Sequence, residues 1–309
     1  MVGGREADRA PPGPSVSVAI RVAVGLPVRA TGADPDLLLT WAIRAEHGPF
    51  SSLAVPDRVV HDAHEPLVTL AAAAASTRRI GLLTSIVLGP TRETTLLARQ
   101  AASIDALSRG RLTLGVGVGI RRDDYAATGS EFETRGRRLD TQLALLRRIW
   151  AGETLDAGIG PIGPAPARPG GPQLLVGGYV EAVARRIAAW GDGFMAPGGG
   201  EAERMAALWR SIVDAWEAAG RSGRPRRVVG SYFALGPRAA EYARSHIDAW
   251  YGFDPALADR RLRSIPTTAE AVEAVIRRHD ADGADEIVLR PCAADLDQLD
   301  RLTDLVAGL

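Results

Sequence analysis

Short apolar runs and longer segments of helical period alternate along the chain, and the alternation repeats eight times. The runs that read as strands are VAIRVAVGL, SLAVP, IGLLTSIVL, LTLGVGVGI, QLLVG, GFMA, RVVGSYFAL and EIVLR. Several are apolar at successive positions, the pattern of parallel strands covered on both faces. Amphipathic stripes lie between them. Leu139, Leu143, Leu146 and Trp150 recur at intervals that put all four on one face of a helix. Met205, Leu208, Ile212 and Trp216 follow a similar spacing. Thr267 and Glu270 have capping-box spacing ahead of Val272, Val275 and Ile276. Eight strand–helix repeats predict a single (β/α)8 barrel, a TIM barrel, over residues 16–309. An open doubly wound sheet is the alternative.

Two insertions break the rhythm. Residues 152–172 contain five prolines and six glycines, too many breakers for a helix, and form a long loop between the fourth helix and fifth strand. The second insertion, at about 236–266, separates the seventh strand from the capped helix. Tyr232 and Phe233 precede it and Trp250, Tyr251 and Phe253 lie within it, five of the sixteen aromatic residues. It reads either as a substrate lid or as extra helices packed outside the barrel. Residues 1–15 (MVGGREADRAPPGPS) lack the apolar core of a signal peptide and read as a disordered leader.

Composition removes whole classes of chemistry. In 309 residues, 37 cationic side chains balance 37 carboxylates, and all 37 cations are arginine. Without lysine there is no Schiff base, no pyridoxal-phosphate anchor and no Walker lysine. Arginine clamps anions but carries protons poorly. Zero net charge gives no electrostatic reason to bind nucleic acid or an anionic membrane. No apolar run approaches the ~20 residues of a membrane span. The single Cys292 excludes an intrachain disulfide and a multi-cysteine metal site, and fits a reducing, cytoplasmic setting.

Barrels of this kind place chemistry at the carboxyl ends of their strands. After the second strand, VPDRVVHDAHE crowds Asp57, Arg58, His61, Asp62, His64 and Glu65 together. His61 and His64 have HxxH spacing, but a metal-dependent hydrolase needs further ligands and the first strand ends GLPVR. After the fourth strand, GVGVGIRRDDYAATG brings Gly115, Gly117 and Gly119, then Arg121, Arg122, Asp124 and Tyr125. The glycines either let the backbone lie close to a flat ligand or relieve crowding within the barrel. After the fifth strand, Gly177, Gly178 and Tyr179 precede a helix beginning near Val180. Free N–H groups at that helix start form an anion site; a plain tight turn is the rival reading.

The ordered series TSIVLGP, LLARQAASIDALSRGRLTLGVGVG, RGRRLDTQLALLRRIWAGE and LLVGG with WGDGF resembles the bacterial luciferase-like family of flavin-dependent oxidoreductases, over about residues 16–307. The resemblance implies a barrel binding reduced FMN, or the deazaflavin F420, at the strand C-termini. It places Thr84 and Ser85 against the isoalloxazine ring, with a cis peptide at Ser85–Ile86. It gives Gly117 and Gly119 the pocket wall, and Gly177 and Gly178, with Tyr179 beside them, the phosphate turn. Helices near 66–75 and 94–107 would pair two copies as a homodimer. There are departures. Arg58 stands where luciferases and F420-dependent sugar-phosphate dehydrogenases have a histidine, Ile120 where the latter have a glutamate, and Val118 where luciferases have a phosphate-binding arginine. Arg121 or Arg122 would supply that missing contact.

The implied activity is a two-component monooxygenase that takes reduced FMN from a separate flavin reductase and oxidises a small organic substrate. Arg58 would stabilise developing negative charge, and His61, His64 or Tyr125 would move a proton. The alternatives are F420-dependent hydride transfer, a non-catalytic flavin-binding relative, and a metal-dependent hydrolase built on His61 and His64. Substrate choice is expected to lie in the two insertions.

Overall fold

The computed structural model describes residues 20–28, 35–198 and 202–309; the leader at 1–15 lies outside them. The apolar runs form strands β1 (Arg21–Gly25), β2 (Ser52–Val55), β3 (Gly81–Thr84), β4 (Val87–Leu88), β5 (Leu112–Gly117), β6 (Gln173–Gly177), β7 (Gly193–Met195), β8 (Arg226–Phe233) and β9 (Glu286–Pro291). All pair in parallel, in the order β3-β2-β1-β9-β8-β7-β6-β5-β4, and a β3–β5 pairing closes the ring. β3 and β4 are two halves of the single run IGLLTSIVL, so the architecture is a closed barrel of eight strands.

The break in that run has a local cause. β3 pairs with the start of β5 through Leu82 and Leu83, and β4 with its far end through Val87 and Leu88. A Cβ on Gly115 would collide with the Thr84 carbonyl oxygen, and one on Gly117 with the Ile86 side chain. The glycines in β5 therefore admit the bent third strand. Relief of crowding is the role the structure displays for them.

The barrel interior is filled by Ala23, Ala54, Leu83, Leu175, Met195, Val228 and Val288, with Ile86 above them. Around the sheet run α1 (Pro35–His47), α2 (Pro66–Ser76), α3 (Thr94–Leu107), α4 (Arg122–Ala127), α5 (Arg135–Trp150), α6 (Ala182–Trp190) and α7 (Ala202–Ala218). The sequence continues through α8 (Ala239–Tyr251), α9 (Pro255–Arg263), α10 (Ala269–Ala281) and α11 (Leu296–Ala307). The stripe Leu139, Leu143, Leu146 and Trp150 is buried on α5, as its period requires. The cap of α10 is Thr268, whose hydroxyl accepts from Ala271 N, one residue beyond the Thr267 that the spacing suggested. Among the described residues no helix is long and apolar enough to cross a membrane.

The two insertions differ. Residues 152–172 run from a helix end to a strand start, so they lie at the face opposite the strand C-termini. Asp105, at the end of α3, accepts from Ala167 N at 2.8 Å, and Arg147 donates to the Gly170 carbonyl at 3.0 Å. This placement removes the loop from substrate choice, contrary to the expectation above. The second insertion is the helical pair α8–α9, packed on Ala234, Ile265 and Cys292.

Leu143 is fully buried, so Leu143→Ala is expected to lower stability by about 3 kcal/mol, read from urea denaturation. Ile159, 49% exposed in the 152–172 loop, is expected to change stability by less than about 0.5 kcal/mol when cut to alanine.

Candidate active site at the barrel mouth

The loop after β2 is pinned by carboxylates on both sides. Asp57 is buried, and its Oδ2 accepts from Leu88 N and from Arg92 Nη2, both at 2.9 Å. Burial works against the Arg92 charge, yet Asp57 and Glu65 beside it hold its pKa above the ordinary value. The Arg58 side chain is only 9% exposed. Its Nε lies 3.1 Å from Asp124 Oδ2, and Nη2 lies 3.5 Å from Asp123 and donates to the Val60 carbonyl at 2.8 Å. Asp124 Oδ1 also accepts from the amides of Val59 and Val60 at 3.0 and 2.9 Å. The charge of Arg58 is thus balanced within the protein.

Trp250 of α8 joins these groups. The Arg58 guanidinium stands over its ring at 5.1 Å, a cation–π contact. His61 stacks on the same ring, with centroids 4.1 Å apart and planes 16° apart. His64, three residues on, is exposed. The mouth therefore gathers Arg58 and His61 but not His64. Among the described residues no three His, Cys, Asp or Glu side chains gather as a metal site requires, and the hydrolase reading has no structural support.

The candidates after β5 are largely engaged. Tyr125 is 1% exposed, donates its hydroxyl to the Val118 carbonyl, and meets Phe132 edge-on. Burial pushes its pKa up to about 12. It fastens α4 to the strand end and offers no open hydroxyl for proton transfer. Arg121 is paired with Asp123, which raises its pKa, and stands over Phe253 at 4.3 Å. Arg122 lies out in solvent, 2.5 Å from Glu133. Neither is a free cation for a phosphate. Gly119, with φ +67°, turns the chain out of the strand.

At the third strand, Thr84 is fully buried and donates to the Gly115 carbonyl at 2.8 Å, so its hydroxyl serves the barrel wall. The Ser85–Ile86 peptide is cis. Ser85 Oγ is buried without a hydrogen-bond partner among the described residues. After β6, Gly178 has φ +155°, a region that L side chains rarely adopt. The amides of Tyr179, Val180, Glu181 and Ala182 meet no acceptor among the described residues, as expected where a helix begins. The Tyr179 hydroxyl accepts from Arg261 Nη2 at 2.9 Å.

The α8–α9 pair covers the mouth. Besides Trp250, it brings His246 to within 4.8 Å of the Tyr232 ring, and the Tyr232 and Tyr251 hydroxyls lie 3.4 Å apart. Beneath it is a cavity of ≈ 10 Å³ lined by Leu26, Pro27, Pro56, Tyr232, His246, Arg290 and Pro291, about the room one water needs. Arg261 and Arg290 escaped the sequence reading, and Trp250 entered it only as one aromatic of the second insertion. A signal did exist for Arg290: it is the lone cation ending the apolar run EIVLR, at the catalytic end of a strand.

Residues 15–291 match the luciferase-like monooxygenase family. The chain belongs to that family. An F420-dependent glucose-6-phosphate dehydrogenase of Amycolatopsis mediterranei is 31% identical over 196 residues, 57% of each chain. Two solved structures share the fold. An F420-dependent secondary alcohol dehydrogenase in complex with an F420-acetone adduct aligns with TM-score 0.78 and 16% identity, covering 94% of this chain and 99% of its own. Monooxygenase RslO1 from Streptomyces bottropensis aligns with TM-score 0.74 and 22% identity, covering 94% and 98%. Members of the luciferase-like family are flavin- or F420-dependent oxidoreductases and monooxygenases.

The residues at this mouth fit such a cofactor. Four free amides after β6 suit a phosphate, the orphaned Ser85 Oγ suits a polar ring edge, and Ile86 between Gly117 and Gly177 gives an apolar surface. Asp124→Ala would leave the buried Arg58 with Asp123 alone, 3.5 Å away, and strip the Val59 and Val60 amides of their acceptor; it is expected to lower stability by about 3 kcal/mol. Glu133→Ala, on the exposed pair with Arg122, is expected to leave the urea midpoint unchanged.

Proposed function

We propose that the chain is a flavin-dependent monooxygenase that uses reduced FMN, supplied by a separate reductase, to oxidise a small organic substrate. The observation that carries the flavin reading is the turn after β6, where Gly178 and the amides of residues 179–182 form an anion site without any lysine. Bound reduced FMN supplies the electrons that activate oxygen. The chain's own residues bind, shield and move protons. The amides hold the phosphate and Ile86 supports the ring. The α8–α9 pair excludes water, which strengthens every polar interaction beneath it. His61, held flat against Trp250, is the proton carrier at the mouth. Arg58 acts by position: bound to Asp124, it seats Trp250.

Support for FMN over F420 comes from Arg58, which stands where F420-dependent sugar-phosphate dehydrogenases have a histidine. Removing hydride from an alcohol needs a base for the hydroxyl proton, and a buried, ion-paired guanidinium cannot serve. Hydride transfer with F420 is the second reading, supported by the glucose-6-phosphate dehydrogenase relative and by two imidazoles, His61 and His246, at the mouth. The exposed apolar positions Val68, Leu96 and Leu107 support pairing of two copies through α2 and α3.

Anaerobic titration with reduced FMN and with reduced F420, followed by oxygen uptake with NADPH and a flavin reductase, tests the proposal. The expected result is reduced FMN bound once per chain, with affinity at least about tenfold weaker in Gly178→Ala, whose Cβ would lie 2.8 Å from Val183 Cγ2. Binding of F420 alone would select the second reading, and binding of neither would sink both.

A further inference from the structure

Among the described residues, the cover formed by α8 and α9 is fastened to three loops of the mouth. Trp250 lies against Arg58 and His61 of the loop after β2. Phe253, at the turn between the two helices, lies under the Arg121 guanidinium beyond β5. Arg261 of α9 donates from Nη2 to the Tyr179 hydroxyl in the turn after β6, at 2.9 Å. In the first two contacts the arginine is already held by a carboxylate, Arg58 by Asp124 and Arg121 by Asp123. The third ends in a turn whose own backbone is incompletely paired.

Tyr179 belongs to the turn and to the cover contact at once. Its amide opens the run at residues 179–182 that meets no acceptor among the described residues, and its carbonyl accepts from Arg204 of α7 at 3.1 Å. Gly178, just before it, has φ +155° and brings wide conformational freedom to the start of the turn. An anion on these amides supplies the acceptors they lack and fixes the backbone of Tyr179. Hydrogen bonds weaken steeply as their geometry departs from the optimum. Fixing the backbone therefore strengthens the bond that the Tyr179 hydroxyl accepts. The donor has little else to turn to: Arg261 is 9% exposed, and its Nε is buried without an acceptor among the described residues. From Arg261 the contacts continue into α8. Its guanidinium stands 5.5 Å from the Tyr251 ring centroid, the Tyr251 and Tyr232 hydroxyls lie 3.4 Å apart, and the Tyr232 ring meets that of His246. One bond at Tyr179 thus bears on both helices of the cover.

We propose that Tyr179 is a positioning residue that couples the turn after β6 to the cover: with a phosphate on the amides of residues 179–182, the bond between Tyr179 and Arg261 holds α8–α9 closed over the mouth. This coupling rests on the reading of that turn as the cofactor's phosphate site. The cavity beneath the closed cover has room for about one water, so the cover opens for entry, and phosphate on the turn shifts the balance of open and closed positions toward closed. Tyr179 acts here through its hydroxyl, on the cover, while its amide serves the turn.

Trypsin digestion of the whole folded chain, read by mass spectrometry at Arg244, Arg260 and Arg263, tests the proposal. These arginines are exposed on the cover helices, and cleavage within a helix tracks how often it opens. Digestion is run without ligand, with inorganic phosphate, and with reduced FMN under anaerobic conditions, each at saturation for the protein used. In the wild type both ligands are expected to slow cleavage at the three sites about tenfold. In Tyr179→Phe, which keeps ring and amide but loses the hydroxyl, the slowing is expected to shrink below about twofold. Arg261→Gln is expected to do the same, and the double variant to lose nothing more, because both substitutions break one bond. Equal slowing in the wild type and in Tyr179→Phe would overturn the coupling, as would bound FMN that leaves cleavage unchanged. If FMN does not bind the wild type, the flavin reading falls, and inorganic phosphate alone decides the coupling, with no slowing by phosphate overturning it. Circular dichroism of the variants separates a lost contact from a lost fold, and Arg261→Gln carries the test should Tyr179→Phe misfold.

Discussion

The buried pair of Arg58 and Asp124 organises the mouth of this barrel. One carboxylate accepts from the guanidinium and from two consecutive amides, so the loop after β2 is fixed to the helix that follows β5. The other side of the guanidinium faces Trp250, which brings in α8, and His61 lies flat on the same ring. Three segments distant in sequence thus depend on one charge pair. A buried ion pair is poor at adding stability but strict about geometry, because either partner alone is costly to bury. That constraint suits a site whose imidazole must be held in place.

The barrel beneath is built so that the rim can be irregular. Small and aliphatic side chains fill the interior, and glycines in β5 accept a third strand that breaks at Ser85. The absence of lysine shapes what the rim can bind. Fixed anions must be met by backbone amides or by arginine, and the amides after β6 are the group proposed for the cofactor phosphate. Tyr125 is tied to Val118 and the arginines stay charged, so neither offers a group that readily exchanges a proton.

The eight strands and the main helical stripes were legible because period and apolar runs are local properties, and Leu139, Leu143, Leu146 and Trp150 are buried as their spacing demands. The turn at Gly177–Gly178, which we propose as the anion site, was visible for the same reason: strand, glycines and helix start are adjacent. What was not legible depends on distance. Nothing in VPDRVVHDAHE shows that Arg58 is neutralised by Asp124, 66 residues away, so it read as an open cation. Tyr125 read as an available hydroxyl because its acceptor, a backbone carbonyl, has no sequence signature. The loop at 152–172 was assigned to the substrate because it is long, whereas its place after a helix puts it on the opposite face. The alternation of elements already contained that answer. The cap of α10 moved by one residue, the usual uncertainty where two threonines adjoin.

We propose that cofactor and substrate meet under the α8–α9 cover, between the loop after β2 and the turn after β6. Hydrogen exchange followed by mass spectrometry, with and without reduced FMN, reads this directly. Exchange is expected to change at residues 57–65, 177–183 and 239–263, and to stay the same at 152–172. Changes at 152–172 with none at the other three segments would contradict it.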